Sequence, residues 1–408
     1  MPRVSRPVAF WSVALLLVLM LAASGVPSPL YRVYQAQFGF SSGVLTTIFG
    51  IYALALLGSL LVVGGLSDHV GRRPVIAAAF ALEAVAMVLF LAADGVGWLL
   101  AARIVQGLAT GALTSALGAW LLDLQRPGHS LGSFINSASP GLGLSLGAVG
   151  AGLLVQYAPS PTDWVFGVLT VVFALAVPCV LLLPESSPRV PGALVSLRPR
   201  VEIPHVHRRP FLVALPVVVA AWALGGLYAS LGPSLVADVF GVPNHIVGSL
   251  LILALNGTAV FGSLAARGRA PPTVLLTGAL IFSVGVAGTI TAVATGSLAL
   301  LFVAAVVTGL GFGASFLGAI TMITDGVAPG HRAGLLAATF VAGYLAFSLP
   351  AIAAGIAVSS LGLATTATIY GSVVIVLALA AVAGLLVQRR RSSAAAVDDP
   401  VDTQALAA

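Results

Sequence analysis

"GGLSDHVGRRPV", residues 64–75, places an aspartate, a histidine and two arginines between long runs that carry almost no charge. The chain around it has 408 residues, of which 59% are hydrophobic and 7% charged. Its mean hydropathy is +1.10, whereas a soluble domain carries about 25% charged residues. This composition cannot cover a water-facing surface. Lipid is therefore the solvent for most of the chain, and the fold class is an all-α, polytopic membrane protein. A helix needs about 20 apolar residues to cross a hydrocarbon core roughly 30 Å thick. Breaking the chain at its polar and Pro/Gly-rich stretches predicts twelve spans, six in each half. The first six are 8–28, 43–65, 74–93, 97–121, 131–156 and 164–183. The second six are 211–237, 245–266, 273–294, 297–324, 333–358 and 363–387. The quoted stretch joins the second span to the third.

The positions of the charges set the topology. All 18 basic residues are arginine. Without lysine there can be no Walker A phosphate loop and no lysine Schiff base, so ATP-driven transport by this chain alone is not expected. With the N-terminus inside, the turns at 29–42, 94–96, 157–163, 238–244, 295–296 and 359–362 face out, and they hold Arg32 alone. Arg103 lies inside a span, and every other arginine falls on the inner side, as the positive-inside rule requires. The expectation is a multi-pass protein of the cell (cytoplasmic) membrane with both termini cytoplasmic. The basic pI of about 10.1 then reflects topology, and no nucleic-acid partner is expected. The apolar run from Val8 to Ala23 is longer than a leader core and recurs through the chain, so it reads as a retained first span. Cys179 reads as a small buried hydrophobe. The histidines (69, 129, 205, 207, 245 and 331) sit in loops with no metal-ligand spacing, and no metal or cofactor is expected.

The two halves resemble each other. "DLQRPGHSLG", residues 123–132, follows the fourth span, and "DGVAPGHRAG", residues 325–334, follows the tenth. Asp, Pro-Gly-His and the final Gly match at a constant offset of 202, which also aligns Gly107 and Gly111 with Gly309 and Gly313, and Phe38-Gly39 with Phe240-Gly241. The reading is two pseudo-symmetric six-helix bundles, 1–183 and 211–388. They are joined by a cytoplasmic linker at 184–210 and followed by a disordered cytoplasmic tail at 389–408. Related halves are a feature of secondary transporters, whose substrate site lies between them near the midplane.

On these residues the chain resembles the major facilitator superfamily of secondary transporters. Gly64, Leu66, Asp68, Gly71, Arg72 and Arg73 fall in register with the family's Gly-x-Leu-x-Asp-x-x-Gly-Arg-Arg signature between spans two and three. "RIVQG", residues 103–107, is similar to its Arg-x-x-Gln-Gly element in span four. "GLSLGAVGAG", residues 143–152, partly follows the exporter glycine ladder of span five: Gly143, Gly147 and Gly150 fit, but Ala148 replaces the proline and Ala151 a closing glycine. The resemblance implies a cytoplasmic latch, with Asp68 near the start of span eleven, where the helix dipole favours negative charge, and Arg72 paired with Asp123. A related pair would join Asp325 to Arg267 or Arg269.

Two ionisable residues fall deep in the membrane, where they are costly and usually functional. Arg103, with Gln106, is a candidate for proton coupling or substrate binding. Glu83 is read either as a proton carrier or as a structural residue. The two differ in depth by on the order of 10 Å, so an ion pair between them is not expected. Tyr31, Tyr52, Asn136, Trp222, Tyr228, Asn256 and Tyr344 are candidate contacts in a mostly apolar cavity, which suits a neutral or amphipathic organic molecule; an anion held by Arg103 is also open. The leading expectation is a monomeric, proton-coupled exporter working by antiport. The alternatives are a symporter or facilitator importing a small metabolite, and a non-transporting receptor. With no His-Glu-x-x-His and no paired carboxylates within one span, an enzyme is not expected.

Overall fold

The computed structural model describes residues 4–397. Among these, twelve helices are long and apolar enough to cross a membrane. In the first half they are α1 Arg6–Phe38, α2 Ser42–Val63, α3 Arg72–Leu91, α4 Val96–Leu124, α5 Leu131–Tyr157 and α6 Pro161–Leu182. In the second they are α7 His205–Val239, α8 His245–Ala266, α9 Pro271–Thr295, α10 Leu298–Thr324, α11 Pro329–Leu361 and α12 Leu363–Val397. Lipid offers no hydrogen bonds, so each span must close its backbone internally and finish its ends with polar or conformationally suited residues. Asn244 Oδ1 accepts the Ile246 and Val247 amides at the start of α8, and Ser297 Oγ accepts the Leu300 amide at the start of α10. Prolines open α6, α9 and α11, where a missing N–H costs nothing.

Two expectations change. Residues 29–38 are not part of an outer turn: α1 kinks at Val26–Pro27, where the ring removes an N–H, then resumes to Phe38 with Leu30, Tyr31 and Tyr34 buried. Nor is the tail unstructured from Arg389, because α12 stays helical to Val397; residues 398–408 of that expectation lie outside the described residues.

The repeat is visible in the packing. In the first half α4 packs on α1, α2 and α3, α3 on α6, and α1 on α5; in the second α10 packs on α7, α8 and α9, α9 on α12, and α7 on α11. Each pair has its counterpart six helices later. The matched glycines act alike. Gly39 and Gly241 both end their segments in the left-handed region, at φ 68°. Gly107 lies against the Tyr52 carbonyl of α2, as Gly309 lies against the Leu255 carbonyl of α8, so close that a Cβ would clash. The matched loops diverge: the first turns through Gly128 (φ 79°) before α5 begins, whereas Pro329 itself opens α11.

The halves meet along α2–α11 and α5–α8. At the end away from the termini they are joined: Arg32 Nη1 stands 2.8 Å from Asp238 Oδ1, Gln156 Oε1 accepts the His245 amide at 3.3 Å, and Thr46 Oγ1 lies 3.5 Å from the Ile352 carbonyl. At the end bearing the termini, α2 and α11 part around a cleft of about 210 Å³. It is lined by Leu60, Gly64, Ser115, Ala333 and Phe340, with Arg200 of the linker.

Candidate functional site

The stretch quoted first forms a short helix, Leu66–Val70, then a turn at Gly71 (φ 120°), and α3 begins at Arg72. Arg72 is buried although charged. Its Nη1 donates to Ser67 Oγ at 2.6 Å and pairs with Asp68 Oδ1 at 2.5 Å; its Nε donates to Asp123 Oδ2 at 3.2 Å. The expected Arg72–Asp123 pair is thus present. The Asp68 carboxylate turns onto Arg72, four residues on, and its backbone carbonyl accepts Ser187 Oγ and the Val190 amide.

The centre of this cluster is a residue that the sequence did not single out. Glu185, just past α6, accepts the backbone N–H groups of Arg72 and Arg73 at 2.9 and 3.2 Å, and those of Ser186 and Ser187 at 3.1 Å. It caps the N-terminus of α3, where the helix has unpaired donors and a positive end. Partial burial opposes its charge, but four N–H donors outweigh burial and hold the carboxyl below its usual range. Ser186 Oγ adds a bond to Asp123 Oδ2 at 2.7 Å. The signal for Glu185 was an acid at the inner end of a span, where acids do little for topology.

Among the described residues the second half has no equal to this cluster, and neither Arg267 nor Arg269 pairs with Asp325. Arg267 stacks over Phe134 of α5, 5.1 Å from the ring centre, and the Asp325 backbone carbonyl lies 3.1 Å from His207 Nε2. The linker is therefore no free tether. His69 Nδ1 meets the Val190 carbonyl at 2.8 Å on one side; on the other, Glu202 donates its amide to Gly334 and pairs with His331 at 3.2 Å.

Near mid-membrane lies a second set of polar groups. Arg103 is 1% exposed. Its Nη1 donates to Gln106 Oε1 at 2.7 Å, and Gln106 Nε2 donates to the Ala23 carbonyl at 3.1 Å. The guanidinium lies 4.0 Å from the Tyr52 ring centre and 6.0 Å from that of Tyr31, within cation–π range. Tyr52 donates to Ser24 Oγ at 2.7 Å. Glu83 takes the Thr110 hydroxyl on Oε1 at 2.7 Å and forms no ion pair with Arg103. Three buried atoms here have no hydrogen-bond partner: Arg103 Nε, Glu83 Oε2 and Tyr31 Oη.

The remaining cavity candidates divide. Trp222 and Tyr344 stand edge to face at 4.8 Å, and Tyr344 with Phe347 packs on Tyr52 across the two halves. Tyr228 instead turns away, bonded to Thr289 of α9 at 2.9 Å. Asn256 bonds the Ile252 carbonyl one turn back, and Asn136 lies against Gly118 of α4; both are helix-packing positions. In the glycine ladder Gly143 and Gly147 pack on α1, while Gly150 faces open space where a side chain would fit. Ser145, in the Gly-Leu-Ser-Leu-Gly run, is buried and donates to the Gly141 carbonyl one turn back. Cys179 is exposed on α6, not buried.

Comparison with known proteins now decides the family. The model of the Major Facilitator Superfamily matches residues 13–271. The chain belongs to the Major Facilitator Superfamily. It is 27% identical over 220 residues to the "Probable transporter AQR1" of Saccharomyces cerevisiae, covering 51% of this chain and 35% of that one. It is 31% identical over 141 residues to a "Triacylglyceride transporter" of Mycobacteroides abscessus, covering 34% and 26%. An "Uncharacterized transporter" of Rickettsia felis is 27% identical over 246 residues, covering 59% and 58%. The matches thus span less than two thirds of those relatives' lengths. The fold is similar to a bacterial homologue of the human lysosomal transporter Spinster, with a TM-score of 0.71 at 14% identity over 94% of this chain and 97% of that one. It is also similar to the nucleoside transporter NupG, with a TM-score of 0.72 at 12% identity over 93% and 100%. This superfamily member is a multi-pass membrane protein.

Proposed function

We propose that this protein is a proton-coupled secondary transporter that moves a small organic molecule by alternating access, as a monomer, in the cell membrane with its termini cytoplasmic. The moving bodies are the bundles 1–183 and 211–388, and the cluster around Arg72 is the latch of the first, formed with Asp68, Asp123 and Glu185. In this conformation the far end is joined and the cleft at α2–α11 opens toward the termini, hence inward.

The observation that carries coupling is the pair of buried networks, Glu83–Thr110 and Arg103–Gln106. Glu83 Oε2 has no donor and is where a proton can reside. The field of Arg103 reaches Glu83, so proton and substrate act on one another through low-dielectric protein. Export by antiport, which the partial glycine ladder of α5 suggests, needs a substrate whose binding disfavours the proton. Import by symport needs the reverse, and the unbonded Nε of Arg103 favours that second reading. Flux in proteoliposomes with and without an imposed pH gradient tests the coupling: wild type is expected to show gradient-dependent flux, and Glu83→Gln to lose the dependence. Flux indifferent to the gradient in wild type sinks the proposal.

A further inference from the structure

We infer that the transported molecule is an amphipathic organic acid, its carboxylate held by Arg103 and Tyr31 and its apolar body lying along Tyr52 toward Tyr344 and Trp222. The inference rests on the proton-coupled reading above and selects its symport form.

An arginine stays charged at any physiological pH, and a buried charge is costly unless paired and hydrogen-bonded. Arg103 is buried and makes no ion pair among the described residues. Its recorded partners are one neutral amide oxygen and the faces of two tyrosines. Glu83 forms no ion pair with it, its Oε1 accepting the Thr110 hydroxyl; the other described acids lie at span ends or in the linker. Gln106 occupies Nη1 and Tyr52 one face of the guanidinium. What remains is the edge carrying Nε, an N–H with no acceptor. The hydroxyl of Tyr31, also buried and also unbonded, belongs to the other ring beside the same guanidinium. Two neighbouring donors without acceptors, one of them cationic, make a site for a planar anion. A carboxylate matches an arginine edge in shape as well as charge.

The body follows from the surroundings. Tyr52 lies on the guanidinium and packs on Tyr344 and Phe347 of α11; Tyr344 meets Trp222 of α7 edge to face. An aromatic wall thus runs from the cation into the second half, suited to an aryl or alkyl chain. The groups that act on Glu83 electrostatically are Arg103 and Tyr52; α6 faces α3 with the uncharged Phe166 and Phe173. An anion on Arg103 offsets the positive charge that acts on Glu83, so acid and proton bind with positive cooperativity.

The test is equilibrium binding to the full-length protein in nanodiscs, corrected against empty nanodiscs, with no gradient imposed. The probes are 4-phenylbutyrate, indole-3-acetate and octanoate, each beside its primary amide. At least one acid is expected to bind about tenfold or more tightly than its amide. Arg103→Gln is expected to erase that preference, Arg103→Lys to keep part of it, and Tyr31→Phe to weaken the acid by about threefold or more while sparing the amide. Equal binding of acids and amides, a preference that survives Arg103→Gln, or no binding by any of the three acids overturns the inference. Acid preference without gradient-dependent flux would support the site and defeat the coupling reading. Gradient-coupled flux of an amide without acid preference would do the opposite.

Discussion

Gly107 in α4 and Gly309 in α10 stand at matching positions and let matching helices approach. Four residues before Gly107 stands Arg103; four before Gly309 stands Ala305. Gln106 is matched by Thr308, whose hydroxyl closes on its own helix at the Ala304 carbonyl, 2.6 Å away. Glu83 is matched by Gly285, which packs so tightly on Thr308 that no side chain would fit. The first half spends its interior on charge, and the second spends the same positions on close helix contact and an aromatic wall. The lesson is that backbone symmetry supplies two bodies able to rock, whereas coupling needs one place where charges act on each other. Low dielectric makes a second such place costly. The helix ends show the same division: Arg72 is locked by three carboxylates or their neighbours, while Arg267 only stacks on a ring.

The comparison breaks first at Arg103. Arg103→Ala is expected to lower proteoliposome flux by roughly 10- to 100-fold, the worth of a charge-assisted contact, whereas Thr308→Val stays within about twofold of wild type. Equal losses would mean that both interiors matter alike. At the latch, Arg72→Ala leaves two carboxylates facing each other and should cost about 1–3 kcal/mol in thermal unfolding of the detergent-solubilised protein. Arg267→Ala should cost less than about 1 kcal/mol.

Glu185 sharpens the same contrast through pH. Its carboxyl is held below the usual range, so its contribution is full above the ordinary carboxylate pKa and fades as pH falls through the lowered one. The difference in unfolding temperature between wild type and Glu185→Gln should therefore be constant near neutrality and vanish in acid; a difference that grows in acid contradicts the cap. The smallest effect is expected at the far end. Arg32–Asp238 is part-exposed, so Asp238→Asn should cost about 0.2–1 kcal/mol and modestly raise labelling of a cysteine placed at residue 36. The swap Arg32→Asp with Asp238→Arg should restore the wild-type level.

Twelve spans and the pairing of Arg72 with Asp123 were legible in sequence, because hydropathy, arginine placement and the repeat each leave a one-dimensional trace. Glu185 was not, since it meets Arg72 across 113 positions through backbone N–H groups that every sequence possesses. Tyr228 and Tyr344 could not be told apart by type: one turns to Thr289 and the other to the Tyr52 cluster, which helix packing decides. The extension of α1 past Pro27 was also missed, because proline marks the start of a helix as readily as a break in one.

By itself the sequence determined the solvent, the number of spans, the two-fold plan and the presence of a deep arginine and a deep acid. Those follow from transfer free energy, which depends on residue type and is summed along the chain. Tertiary structure alone decided that Glu83 bonds Thr110 and leaves Arg103 to Gln106, that Asp68 folds back onto Arg72, and that two buried donors beside Tyr52 lack acceptors. Those depend on distances of 3 to 4 Å between helices, where hydrogen bonds and ion pairs are either made or absent.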